Sequence, residues 1–237
     1  HAGGRRTNHP ECLVGIHRSI IRIISRRETI MTDGTNTYTS LPELQAAMKE
    51  CRACQNAGYE IYPPAVFSGR DSAQFMTIGQ APGITEQEAE RPFNAGSGTR
   101  LFGWLARAGI EEDWFRKTQY MTSVTKCYPG RQTTGSGDRV PTRHEQSLCR
   151  PFLDQEIELV DPRVIVPIGR LAINLYFPSN LVLKEIIGTQ LEVDGRWVVP
   201  LPHSSGASRW HQIKENRDLI KKAISLLRTH YRSIFPS

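Results

Sequence analysis

Residues 75–83 read FMTIGQAPG. The run from Phe75 to Ile78 suits a strand buried on both faces, and the segment from Gly79 to Gly83 turns the chain at the carboxyl end of that strand. Strands buried on both faces belong to parallel sheets with helices on either side. In such sheets the turn after a strand is where backbone amides face a crevice and ligands bind, although an ordinary strand-to-helix turn looks the same in isolation. What this turn does therefore depends on the segments that follow it.

Those segments alternate. SGTRLFGWLARAGI (97–110) places Leu101, Trp104, Leu105 and Ala108 on one helix face, and QYMTSVTKC (119–127) has the period of a second strand that delivers Cys127. YPGRQTTGSGDRVP (128–141) is dense in Gly, Ser, Thr and Pro and predicts a mobile loop. Thr142 with Glu145 three residues on forms a capping-box signature for a helix that ends near Asp161-Pro162. RVIVPIG (163–169) predicts a third buried strand, followed by the helix RLAINLYF (170–177). TQLEVDGRWVVPLPH (189–203) predicts a hairpin turning at Asp194-Gly195, and an amphipathic helix over 215–231 closes the chain. Gly79 to Gly83, Ser123 to Cys127, Gly169, and the segment from His203 to Arg209 thus fall at the carboxyl ends of separate strands. They are expected to converge on one edge of a parallel sheet.

A chain of 237 residues with 38% hydrophobic content suits one substantial core, and no apolar run approaches the roughly 20 residues needed to cross a bilayer. The net charge of +6 invites a nucleic-acid reading, but residues 1–30 carry six arginines against Glu11 and Glu28 and so account for +4 of it. The composition becomes ordinary after Met31. We expect residues 1–40 to be a leader, disordered or contributed by vector or upstream sequence, and residues 41–237 to form one catalytic domain. An organellar presequence and a basic arm that touches DNA are the alternatives for the leader.

Upstream of the first strand, LPELQAAMKECRAC (41–54) has helical spacing and predicts a short helix presenting Cys51 and Cys54. With Cys127 and Cys149 these make four cysteines at the starts or ends of elements, consistent with four soft thiolate ligands to an iron–sulfur cluster or to zinc. A redox CxxC pair, with the other two cysteines simply buried, would read the same way.

GQAPG (79–83), RPFNAGSGTRLFGWL (91–105), YMTSVTKCYPG (120–130), CRPFLDQEIELVDPRVIVPIGRLA (149–172) and PHSSGASR (202–209) together resemble, in order, the iron–sulfur-containing uracil-DNA glycosylases, in particular their family 4 branch in bacteria and archaea. The resemblance covers roughly Cys51 to Tyr231. It implies a three-layer αβα sandwich around a central four-stranded parallel sheet. It further implies a 4Fe-4S cluster on Cys51, Cys54, Cys127 and Cys149, with zinc as the alternative, and excision of uracil from DNA in base excision repair. A cytoplasmic, nucleoid-associated monomer with uracil-containing DNA as its partner and no membrane contact goes with it.

Under that resemblance the target nucleotide rotates out of the helix into a pocket. Phe93 stacks on the base, His203 stabilises the departing base, Gly79 and Gly83 let the main chain approach, Gln80 and the backbone at Ala81 position the water, and Ser123 reads the base. Arg209 grips or wedges the DNA, with Ser204, Ser205 and Ser208 donating to phosphates. Three departures stand out: Ala81 where the best-known relatives have an aspartate, Ser123 where family 4 usually has asparagine, and a long Cys127 to Cys149 gap through TTGSG. The histidine-bearing insertion of the branch that becomes trapped on DNA is missing between Phe93 and Leu101. Ser123 keeps two other readings open: a non-catalytic, cluster-containing nucleic-acid binder, and a glycosylase for another deaminated base such as hypoxanthine.

Overall fold

The computed structural model describes residues 37–134, 137–205 and 210–236. Its sheet is built from β1 (Phe75–Gly79), β2 (Tyr120–Ser123), β3 (Val164–Pro167), β4 (Leu191–Val193) and β5 (Arg196–Val198), in the order β2-β1-β3-β5-β4. The contacts β1–β2, β1–β3 and β3–β5 are parallel, whereas β4 pairs antiparallel with β5. The expected four-stranded parallel sheet is therefore corrected to five strands. Its four parallel members are present, and the fifth is the first arm of the predicted hairpin. Asp194 (φ 50) and Gly195 (φ 76) turn that hairpin in the left-handed region that a tight two-residue turn requires. The turn leaves β4 no choice but to run against β5.

Every residue of β1, β2 and β3 is buried, as expected of strands covered on both sides. On one face Phe75 packs edge-on to Phe115 of α5 (Glu112–Thr118) and against Tyr231 of α9 (Lys214–Ile234). On the other, Tyr120 donates to Glu156 of α6 (Arg143–Val160), which itself packs against α1 (Leu41–Glu50). Thr142 caps α6 as the sequence predicts: its hydroxyl accepts from Glu145 N at 3.2 Å, and Glu145 Oε2 accepts from Thr142 N at 2.8 Å.

Two helices differ from their sequence reading. The single helix through Cys54 breaks: Cys51 is extended (ψ 131) at the end of α1, and Cys54 lies on a separate turn, α2 (Ala53–Asn56). Arg52 Nη1 holds this break, donating to the carbonyls of Lys49 and Cys51. The helix after Gly169 is only α7 (Arg170–Ile173), because the chain turns toward Pro178. Between these elements lie α3 (Ile84–Ala89), α4 (Ala95–Arg107) and α8 (Leu183–Ile186).

Candidate active site

The carboxyl ends of the parallel strands open into one cleft. Gly79, Gln80, Ala81, Gly83, Phe93, Ser123 and His203, each singled out from the sequence, all line it. Arg209 and Ser208 lie outside the described residues. Ser204 is buried, so its hydroxyl is withdrawn from a surface that could meet phosphate.

Gly79 ends β1 beneath the Phe93 ring. A Cβ at Gly79 would stand 3.2 Å from Phe93 Cζ and 3.7 Å from Ser123 Cβ, tighter than ordinary packing on the ring side. The missing side chain thus brings the edge of an aromatic ring, a bare stretch of main chain and Ser123, the register partner of Gly79, around one space. The Ser123 hydroxyl donates to the carbonyl of Thr125 at 2.7 Å. With its one proton engaged, Ser123 offers the cleft acceptor lone pairs only.

His203 is held in one orientation. Its Nδ1 accepts from the backbone N–H of Ser205 at 3.1 Å, which places the proton of the neutral ring on Nε2. Gly169 (φ 82) forms the cradle behind the ring, where a Cβ would lie 2.9 Å from His203 Cδ2. Burial lowers the pKa of His203, against a smaller opposing pull from the Glu86 carboxylate, so the imidazole is neutral at pH 7. Arg100 Nη1 steadies the same loop by donating to the Ser204 carbonyl at 2.6 Å.

Two carboxylates in the cleft escape the sequence reading. Glu86 accepts from Gly83 N (3.1 Å) through one oxygen and from Ser97 Oγ (2.7 Å) through the other. Its place three residues after Gly83 is the sequence signal that could have found it. Asp138, on the loop after β2, accepts from the Tyr128 hydroxyl at 3.0 Å, and its other oxygen lies 3.0 Å from where a Gly83 Cβ would be. That loop is a wall of the cleft, and only the folded register, in which Arg139 N bonds Gly130 O, brings Asp138 there.

Beside the cleft, Cys51, Cys54, Cys127 and Cys149 line a second, much smaller pocket. All four are free thiols, and Met48, Ile61, Ala65, Leu148 and Phe152 supply apolar walls. Burial, helped by the neighbouring cysteines, pushes the thiols of Cys54 and Cys127 up to about 12 and that of Cys149 up to about 11. A soft cation would reverse that preference by drawing off the protons. An all-thiol donor set around an apolar cavity fits an iron–sulfur cluster or zinc. Among the described residues, however, no trio of His, Cys, Asp or Glu is gathered to grip a single ion. Lys126, another wall of this cavity, pairs with Glu156 at 2.7 Å and donates to the Ser123 carbonyl at 2.6 Å, so one buried ammonium touches both sites.

The family model for the uracil DNA glycosylase superfamily matches residues 67–228. The chain is similar to the type-4 uracil-DNA glycosylase of Archaeoglobus fulgidus, with 29% identity over 198 residues, or 79% of this chain and 93% of the relative. The type-4 enzyme of Pyrobaculum aerophilum is 31% identical over 152 residues, 64% of this chain and 68% of the relative. That of Thermotoga maritima is 29% identical over 160 residues, 67% of this chain and 78% of the relative.

Proposed function

The chain belongs to the uracil DNA glycosylase superfamily, and on that premise we propose that it removes uracil from DNA by hydrolysing the N-glycosidic bond of a nucleotide rotated out of the strand, leaving an abasic site. The observation that carries this reading is a single cleft in which an aromatic ring, a hydroxyl acceptor and a neutral, oriented imidazole donor surround a bare glycine turn.

Each group then has a task. Phe93 stacks on the extruded base, and the Ser123 oxygen accepts the N3–H of uracil. As the C1′–N1 bond breaks, electrons collect on the base, chiefly on its carbonyl oxygens. His203 Nε2–H donates to the oxygen beside N1, lowering the barrier without a proton having to leave the ring. A water then bonds to C1′, and its proton passes through solvent to the released base. Gln80 and the main chain around Ala81 hold that water, since position 81 has no carboxylate. Arg209, with Ser205 and Ser208, contacts phosphate in this reading.

Cys51, Cys54, Cys127 and Cys149 hold a 4Fe-4S cluster in this reading, and what supports it is an all-thiol donor set lining one apolar pocket together with the likeness to the type-4 glycosylases. When bound, the cluster would cross-link three segments of the chain, those of Cys51 and Cys54, of Cys127 and of Cys149, a structural role, because hydrolysis calls for no change in electron count. Uracil-containing DNA is the substrate and partner.

Ser123 favours a broader substrate range as a second feature of the same site. An acceptor alone meets the N3–H of uracil and equally the N1–H of hypoxanthine. Single-turnover excision of uracil and hypoxanthine from matched oligonucleotides, by the parent and by Ser123→Asn, tests both. Uracil release by the parent and a gain in uracil preference of about 1 to 3 kcal/mol in the variant are expected. A parent that binds both substrates and releases neither base would overturn the reading.

A further inference from the structure

Phe93 is an unusual residue to find at φ +50, in the left-handed region that a bulky side chain rarely enters. Something must hold it there. The segment is gripped from outside the cleft by Arg116 of α5, whose Nη1 donates to the Pro92 carbonyl at 2.9 Å and whose Nη2 donates to the Phe93 carbonyl at 2.8 Å. The guanidinium is itself fixed on its remaining sides. Its Nε donates to Glu112 at 2.7 Å, its carbon lies 4.2 Å from the centroid of the Phe102 ring, and its side chain is only 11% exposed. A planar fork of donors suits two successive carbonyls in a way that the point charge of a lysine does not. Gly98 of α4 completes the grip: any Cβ there would collide with the Phe93 carbonyl oxygen and lie 3.3 Å from Arg116 Nη2.

We infer that Arg116 is a positioning residue for base capture: its fork, seated over Gly98, holds Phe93 in its left-handed conformation and so sets the ring above Gly79 where the extruded base stacks. Arg116 touches no substrate. This inference rests on the stacking role given to Phe93 above, and its test has one arm that does not depend on catalysis.

The activity-independent arm is the Gly79 Hα resonance in the folded protein. The Phe93 ring edge lies 3.2 Å from a Cβ built at Gly79, so one Hα feels the ring current. Phe93→Ala defines its value without the ring. Arg116→Lys is expected to move the resonance toward that value, and an unmoved resonance overturns the inference. The kinetic arm is a cycle of Arg116→Lys and Phe93→Ala in single-turnover excision of uracil. Each single variant is expected to lose about 5- to 100-fold, the scale of one base–aromatic stack. The double variant should be no worse than Phe93→Ala alone within about twofold, because the guanidinium acts only through the ring. Losses that multiply would assign Arg116 to general stability and overturn the inference.

Gly98→Ala tests the same contact should the arginine variant fold poorly. Alanine inside a helix ordinarily stabilises it, but here its Cβ collides with the Phe93 carbonyl, so a folded variant must displace that carbonyl, and unchanged activity with an unmoved Gly79 resonance overturns the inference. Displacement of the Phe93 carbonyl leads one to expect the loss seen in Arg116→Lys, with the same shift at Gly79. A parent that releases no uracil would overturn the proposed function, while the Gly79 resonance would still decide whether Arg116 holds the ring.

Discussion

Substituting Gly169 by alanine should damage the site out of proportion to the fold. Gly169 sits at φ 82, ψ 164, an extended positive-φ region adopted essentially by glycine alone, where an L side chain costs about 1 to 3 kcal/mol. The new Cβ would also stand 2.9 Å from His203 Cδ2, against a comfortable carbon–carbon separation of about 3.5 to 4.0 Å. The imidazole must therefore retreat by about 0.6 to 1 Å, a misplacement for which a loss of about 10- to 100-fold in rate is the expected scale. Gly195 supplies the control: it has φ 76 and open space around its would-be Cβ. Gly195→Ala carries a positive-φ backbone penalty of its own, about 1 to 2 kcal/mol, with nothing to displace. Chemical denaturation should show both variants destabilised, Gly195→Ala by about 1 to 2 kcal/mol and Gly169→Ala by about 1 to 3 kcal/mol. Single-turnover excision of uracil should fall only in Gly169→Ala. Equal activity in the two variants would refute the idea that His203 is placed by the cradle behind it.

The depressed pKa of His203 sets two pH dependences. Excision should be level above about pH 6.5 and fall as acid protonates Nδ1, which must then abandon the Ser205 amide; a profile that rises into acid contradicts a neutral donor. Stability has the same sign: below the unfolded value the unfolded chain binds the proton more readily, so this contribution is lost as pH falls toward the folded value. Lys126→Met should destabilise the fold by about 3 to 5 kcal/mol, because Glu156 is fully buried and would lose its ion-pair partner; thermal melts in which Lys126→Met and Glu156→Gln together recover most of the loss would support the pairing. Cys149→Ser should reduce bound iron and acid-labile sulfide together, and a parent that carries zinc and no iron would rule out the cluster.

Much of this was legible in the sequence, for reasons that differ from element to element. The buried strands declare themselves because apolar runs such as Phe75 to Ile78 are cut off by glycine, and the Thr142 cap because both halves of its hydrogen-bond exchange lie three residues apart. The Asp194-Gly195 turn was equally visible, but the pairing of its first arm into the sheet is a long-range matter that the turn alone does not announce. Helical spacing carried the reading straight through Cys51, whose extended backbone is held by Arg52 bonding to carbonyls beside it. Arg116 was the least visible. Its spacing from Glu112 is that of a common surface ion pair, and nothing local signals that its other nitrogens serve carbonyls 23 and 24 residues earlier. Asp138 was hidden for a similar reason, since the loop that bears it reads as polar linker until it folds against Gly83.

The central claim is that the cleft breaks a glycosidic bond rather than merely holding a base. The decisive measurement incubates the parent protein with an oligonucleotide containing one uracil, quantifies free base by mass spectrometry, and scores alkali-labile strand breaks at the same position. One free uracil per abasic site is expected, with His203→Ala slower by about 10²- to 10³-fold at unchanged DNA binding. Tight, uracil-dependent binding with no free base would contradict the claim and leave a nucleic-acid binder in place of an enzyme.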